Sequence, residues 1–136
     1  MPADVTTSPA REEHRVAGLP EPLSHYTDAV RWRDLLFVSG CVGMGPDGQV
    51  PPGDVTAQAR LAHENLGAVL HAAGTDFAHV LKVTVFLRSA GDRGAVNEVR
   101  KEFFGAAKPA STLIEVSALA LDDLLVEIEA VAGIPS

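Results

Sequence analysis

The sequence predicts an α+β fold in which two helices lie on one face of a mixed sheet of about five to six strands. Three features carry this expectation. Two segments repeat apolar residues at steps of three and four, the pattern of amphipathic helices. Several shorter segments alternate apolar and polar residues, or are apolar throughout, as strands do. The strand candidates outnumber the helices, so the helices can cover only one of the two sheet faces.

Residues 1–22 carry Pro2, Pro9, Pro20 and Pro22 among acidic and hydroxyl side chains, with few large apolar groups. Such a segment buries too little surface to offset the entropy of ordering it. It is therefore expected to be a flexible tail, with 23–136 as a single domain. Strands at 28–30 and 35–39 are expected to form a hairpin across the polar residues 31–34. The loop 43–53 holds Pro46-Asp47-Gly48, a turn signal because proline fixes φ and glycine accepts positive φ.

A first helix is then marked by Val55, Ala59, Ala62, Leu66, Val69, Leu70 and Ala73, with Asp54 to cap it and Gly74 to end it. From 80 to 88 the pattern alternates. Leu81, Val83, Val85 and Leu87 are assigned to one face, and Lys82, Thr84, Phe86 and Arg88 to the other. A second helix opens near Asp92 with Val96, Val99 and Phe103 on its apolar side. Arg100 and Lys101 sit in its last turn, where cations favour the helix dipole, and Gly105 lies beyond. Two further strands follow at 112–116 and 124–132. Leu35-Leu36-Phe37-Val38 and much of 124–131 are apolar on both faces, so the sheet face without helices needs a covering. A homo-oligomer whose sheets pack together, with small-molecule pockets between subunits, satisfies that need.

A chain of 136 residues supports one core. Its 11 basic residues are scattered among 18 acidic ones, for a net charge of -7, which disfavours a nucleic-acid partner. Cys41 is the only cysteine, which excludes an intramolecular disulfide framework and fits a reducing, cytoplasmic setting. No apolar run approaches the ~20 residues that span a bilayer, and residues 1–15 do not read as a signal peptide, so neither a membrane partner nor export is expected.

His25-Tyr26-Thr27-Asp28-Ala29-Val30 and Leu36-Phe37-Val38-Ser39-Gly40 resemble segments of the Rid (YjgF-like, reactive-intermediate deaminase) family. Gln58-Ala59-Arg60, Glu64-Asn65-Leu66, Lys82-Val83-Thr84-Val85-Phe86-Leu87, Val96-Asn97-Glu98-Val99 and Val126-Glu127-Ile128-Glu129-Ala130-Val131-Ala132 follow in that family's order and near its spacing. The resemblance spans roughly 26–132 and implies a chorismate-mutase-like fold and a homotrimer with a pocket at each subunit interface. It also implies that no cofactor is needed. The best-known group hydrolyses enamines and imines to a carbonyl compound and ammonia. In that group an arginine in a Pro-Ala-Arg-Ser motif binds the substrate carboxylate, and a glutamate of the final strand positions the attacking water.

That glutamate corresponds to Glu127. Pro109-Ala110-Ser111-Thr112 puts Ser111 where the arginine stands, replacing a charged planar pair of donors by one neutral hydroxyl. The resemblance thus implies a RidA-like deaminase with an altered substrate, and the alternative is a non-catalytic binding or regulatory trimer. Lys108, before a proline and three residues away, is poorly placed to replace the missing charge. Members have also been described as ribonucleases, a role the acidic balance disfavours.

The candidate catalytic residue is Glu127, as an ionised carboxylate near its ordinary pKa that accepts a proton from water. Tyr26, Asn97 and Ser111 are candidates to orient the substrate, and the backbone near Gly40 and Leu113 to donate hydrogen bonds. Cys41 is expected to be a buried small hydrophobe rather than a nucleophile. His63 and His71 are two helical turns apart, too far for one ion, so no metal site is expected. The glycines of the 40–48 loop lack the strand-turn-helix setting of a nucleotide site.

Overall fold

Alternation along each strand decides which side chains meet the helices, and the computed structural model, which describes residues 10–136, follows it closely. In chain order the elements are β1 (Arg11–His14), β2 (Ala29–Trp32), β3 (Leu35–Val42), α1 (Val55–Ala72), β4 (Val80–Leu87), α2 (Arg93–Phe104), β5 (Ala110–Glu115) and β6 (Val126–Gly133). Short 3-10 turns at Phe77–His79 and Ala90–Asp92 precede β4 and α2. The strands form one six-stranded sheet in the order β1-β2-β3-β6-β4-β5. Only β4 and β5 are parallel, and α2 is the crossover between them.

Val83, Val85 and Leu87 of β4 and Val126, Ile128, Ala130 and Ala132 of β6 are buried toward the helices. The helix α1 lays Ala59, Ala62, Leu66, Val69 and Leu70 against β3 and β6, and α2 packs on α1. Asp54 caps α1 by accepting a hydrogen bond from the Ala57 N–H at 3.0 Å, and Gly74 follows with φ +83°. Trp32 pairs with Leu35, so the hairpin turn tightens to Arg33-Asp34, with Arg33 at φ +55°.

Two expectations are corrected. Residues 1–9 of the expected tail lie outside the described residues, but Arg11–His14 form an edge strand paired with β2 from Arg11↔Trp32 to His14↔Ala29. Main-chain pairing needs no apolar side chain, which is why composition missed it. Asp28 then pins the chain, accepting from the Arg15 guanidinium at 2.6 Å and from the Val16 N–H at 2.7 Å. The second correction is Leu81, assigned to the core face but 52% exposed. Val80 pairs with Ala132 and Lys82 with Val131, so Leu81 is the extra residue of a β-bulge and Val80 takes the buried place.

The face without helices carries Phe37 and Val131, which are paired, and Phe86 and Ile114, also paired. Phe37 and Ile114 remain 47% and 41% exposed, so the second face foreseen from the sequence is uncovered in the single chain and carries apolar groups beside Lys82, Thr84 and Glu129.

One buried polar group ties the layers. The Gln58 side-chain amide on α1 donates to the carbonyls of Pro51 at 2.8 Å and Asp123 at 2.9 Å, while its oxygen accepts from the Leu125 N–H at 2.8 Å. Gln58 is fully buried and fastens the chain just before β6. Gln58→Leu keeps the volume but leaves three part-buried main-chain groups without their partner, and should cost about 1–3 kcal/mol in urea unfolding. A loss under about 0.5 kcal/mol would show that these groups find other partners.

Candidate functional site

The hydrogen bonds around β2 and β3 build one wall of a cavity. The Ser39 hydroxyl donates to the Thr27 carbonyl at 2.6 Å, the Thr27 hydroxyl to the His14 carbonyl at 2.8 Å, and the Ser39 N–H to the Asp28 carbonyl at 3.0 Å. Together with the Arg15–Asp28 pair these hold the segment before β2 against the end of β3. Tyr26 lies on that segment and accepts a hydrogen bond from the Leu23 N–H at 3.3 Å, leaving its own hydroxyl proton to donate. The Asn65 side-chain amide donates to the carbonyls of Val42 and Met44, both at 3.0 Å, and so fixes the last residue of β3 and the chain beyond it to α1.

Between these anchors opens a cavity of about 310 Å³, lined by Leu23, Tyr26, Ser39, Gly40, Leu124 and Glu127 among others. Glu127 projects from the open face of β6, opposite Val42 and Phe86. Its carboxylate passes directly over Gly40, where a β-carbon would overlap Oε2. Glycine at 40 leaves room for the carboxylate in this position, and a β-carbon there would displace it from the strand. Glu127 is half-buried and accepts no hydrogen bond from the described residues. Burial raises its pKa, and the neighbouring Glu129 charge raises it further. The expectation of an ordinary pKa is thus corrected: Glu127 is a stronger base than a free glutamate.

The predicted residues fall into two groups. Tyr26, Gly40 and Glu127 come together in the cavity just described. Ser111 and Leu113 register with Val83 and Val85 of β4, whose side chains face the helices, whereas Glu127 registers with Phe86 on the open face. Ser111 and Glu127 therefore lie on opposite sides of the sheet, beyond the reach of one small molecule on one subunit. The Leu113 side chain packs on the core, and only its backbone, on the edge strand β5, is open to a ligand. Asn97 is exposed on α2 and borders a second cavity of about 240 Å³ with Arg100, Lys101 and Lys108.

Sequence reading missed Arg100. Assigned to the helix dipole, it instead crosses to β5 and donates to the Ser111 hydroxyl oxygen at 2.9 Å. The signal was its place three residues after Asn97, one turn on along the same side of α2. Cys41 is buried as expected, and burial pushes its thiol up to about 12, which removes it as a nucleophile. Among the described residues, no group of three or more His, Cys, Asp or Glu could hold a metal ion, and no helix is long and apolar enough to cross a membrane.

The family model described as Endoribonuclease L-PSP matches residues 16–134. The chain belongs to this family, the Rid or YjgF-like proteins. It is 41% identical over 114 residues to a RutC family protein of Pyrococcus horikoshii, covering 83% of this chain and 90% of that one. It is 42% identical over 114 residues to the mouse 2-iminobutanoate/2-iminopropanoate deaminase, covering 83% and 84%. A crystal structure of a Rid-family protein of unknown function from Yersinia pestis superposes with TM-score 0.87 at 31% identity, covering 92% of this chain and 100% of that one. The α+β fold expected from the resemblance is the fold found.

If Glu129 raises the Glu127 pKa, Glu129→Gln should lower it. Side-chain carboxyl NMR titration should show Glu127 above the ordinary glutamate value in the wild type and closer to it in Glu129→Gln. An unchanged midpoint would leave burial as the whole cause.

Proposed function

We propose that the chain is a cofactor-independent imine and enamine hydrolase that works as a homotrimer. The observation that carries this reading is Glu127: a half-buried carboxylate over Gly40, without a donor among the described residues and facing a cavity that also holds Tyr26. The name of the mouse relative supports the reaction class.

In the reaction, Glu127 accepts a proton from a water whose oxygen attacks the imine carbon. The C–O bond forms as the C=N π electrons move to nitrogen, which takes the proton held by Glu127 and gives a carbinolamine. Glu127 then accepts the carbinolamine hydroxyl proton and passes it to nitrogen as the C=O bond forms and the C–N bond breaks, so ammonia leaves with the carbonyl compound. The raised pKa suits both halves, since the carboxylate must accept the proton and the carboxyl must give it back. The Tyr26 hydroxyl is placed to hydrogen-bond the substrate. With Ser111 in the arginine's place, the substrate's far end is held differently from the family's pattern.

The trimer reading rests on two observations. The helix-free face carries an uncovered apolar group of Phe37, Phe86 and Ile114, and Glu127 is separated by the sheet from Asn97 and Ser111. A second copy can cover the face and bring those groups to a neighbour's Glu127. Light scattering should give three times the chain mass, and a concentration-independent monomer would remove this part of the proposal.

Glu127→Gln should lower turnover of an amino-acid-oxidase-generated imine by ~10²–10⁴-fold. Full activity would take Glu127 out of the mechanism. The same variant has a signature in stability. The folded chain binds the Glu127 proton more tightly than the unfolded chain, so stability falls as pH rises from the ordinary glutamate pKa through the raised one. Glu127→Gln, neutral at every pH, should therefore melt above the wild type at neutral pH and lose that advantage in acid.

A further inference from the structure

The cavity beside α2 is basic on every charged side. Arg100, Lys101 and Lys108 line it with Asn97, Phe104 and Pro109, and none of the described residues lining it is acidic. Lys101 has a carboxylate partner of its own, Glu98 at 3.1 Å. Arg100 has none among the described residues, and its guanidinium donates to a neutral hydroxyl, that of Ser111. It is half-buried, and burial pulls its pKa down. A guanidinium remains charged under such a shift, so the fold keeps a partly desolvated cation with no carboxylate partner among the described residues.

The place where that cation ends is informative. Ser111 stands where the resemblance puts a carboxylate-binding arginine, and the Arg100 guanidinium arrives there from the neighbouring helix. By accepting from Arg100, the Ser111 oxygen leaves its own hydroxyl hydrogen free to point at a ligand. A planar cation and a hydroxyl donor thus stand side by side, with the Asn97 amide one turn back along α2. This set matches a small carboxylate better than a neutral or cationic group.

We infer that Arg100 is the specificity-determining cation of the site, supplied by α2 in place of β5, and that with Ser111 it holds the carboxylate of a small imino acid. The inference rests on the proposed reaction for its substrate, but its central claim, a carboxylate site at Arg100, can be read without turnover. The charge lost at 111 is relocated. Adding a second guanidinium by Ser111→Arg would set two like charges against each other, so that change alone brings no gain while Arg100 is present.

The test uses the full chain and pyruvate, the keto acid that 2-iminopropionate hydrolysis would release, titrated by calorimetry and by amide NMR. Arg100→Gln keeps a donor near Ser111 and removes the charge; it should weaken pyruvate binding about tenfold or more. The double variant Arg100→Gln/Ser111→Arg should recover most of that loss. Thermal melting of each variant verifies folding, and Arg100→Lys, which keeps charge without the planar fork, should fall between wild type and Arg100→Gln. Equal pyruvate binding by wild type and Arg100→Gln would overturn the inference, as would a wild type that binds no pyruvate. Binding that depends on Arg100 with no imine turnover would uphold the inference and sink the proposed reaction. Imine turnover of 2-iminopropionate that is indifferent to Arg100→Gln would do the reverse.

Discussion

Two helices cannot cover both faces of a six-stranded sheet, and the rest of the molecule follows from that shortage. One face becomes a conventional core, built from α1, α2 and the inward residues of β3, β4 and β6. The other keeps Phe37 and Ile114 in solvent and lets a carboxylate stand on a strand without being swallowed by the core. Glu127 needs this intermediate setting. On the helix side it would be fully desolvated and neutral, and on an isolated edge it would behave as an ordinary surface acid. On the open face, half-covered by the segment that Asp28 and Ser39 hold in place, its proton affinity is raised while water can still reach it.

Much of this was legible in the sequence because period and chemistry agreed. The spacing from Val55 to Ala73, with Asp54 before it and Gly74 after, gave α1 almost to the residue. The doubly apolar strands signalled an uncovered face. Two kinds of feature were not legible. Leu81 was misassigned because a bulge shifts the alternation by one, and nothing local in an apolar run marks which residue is extra. Strand β1 was missed because its pairing is made by the main chain, and REEH has no apolar pattern to betray it.

The site was half legible for a related reason. Glu127, Gly40 and Tyr26 could be named from the resemblance, but the reason for glycine at 40 is a contact with a strand 87 residues later and invisible in one dimension. Gln58 and Arg100 were passed over because their partners are remote or main-chain groups. A helix-surface arginine reads as a solvated charge until the element beside it is known, and here that element is β5. The apparent loss of a functional group at Ser111 was therefore a statement about one column of residues and not about the space around it.

The position of β6 carries a cost in time. It lies between β3 and β4, so β1, β2 and β3 on one side and β4, α2 and β5 on the other form two separate groups of near-neighbour pairings until it is inserted. Its contacts with β3 join residues 92 positions apart at Val38↔Ala130 and 98 apart at Leu35↔Gly133, the most non-local in the sheet. Such closures slow folding more than they cost in final stability. While β6 is missing, β3 and β4 each expose a long apolar edge that a strand from another molecule can fill. Refolding yield should consequently depend on protein concentration even where the native state is stable, and the strand that carries the carboxylate is also the one that closes this window.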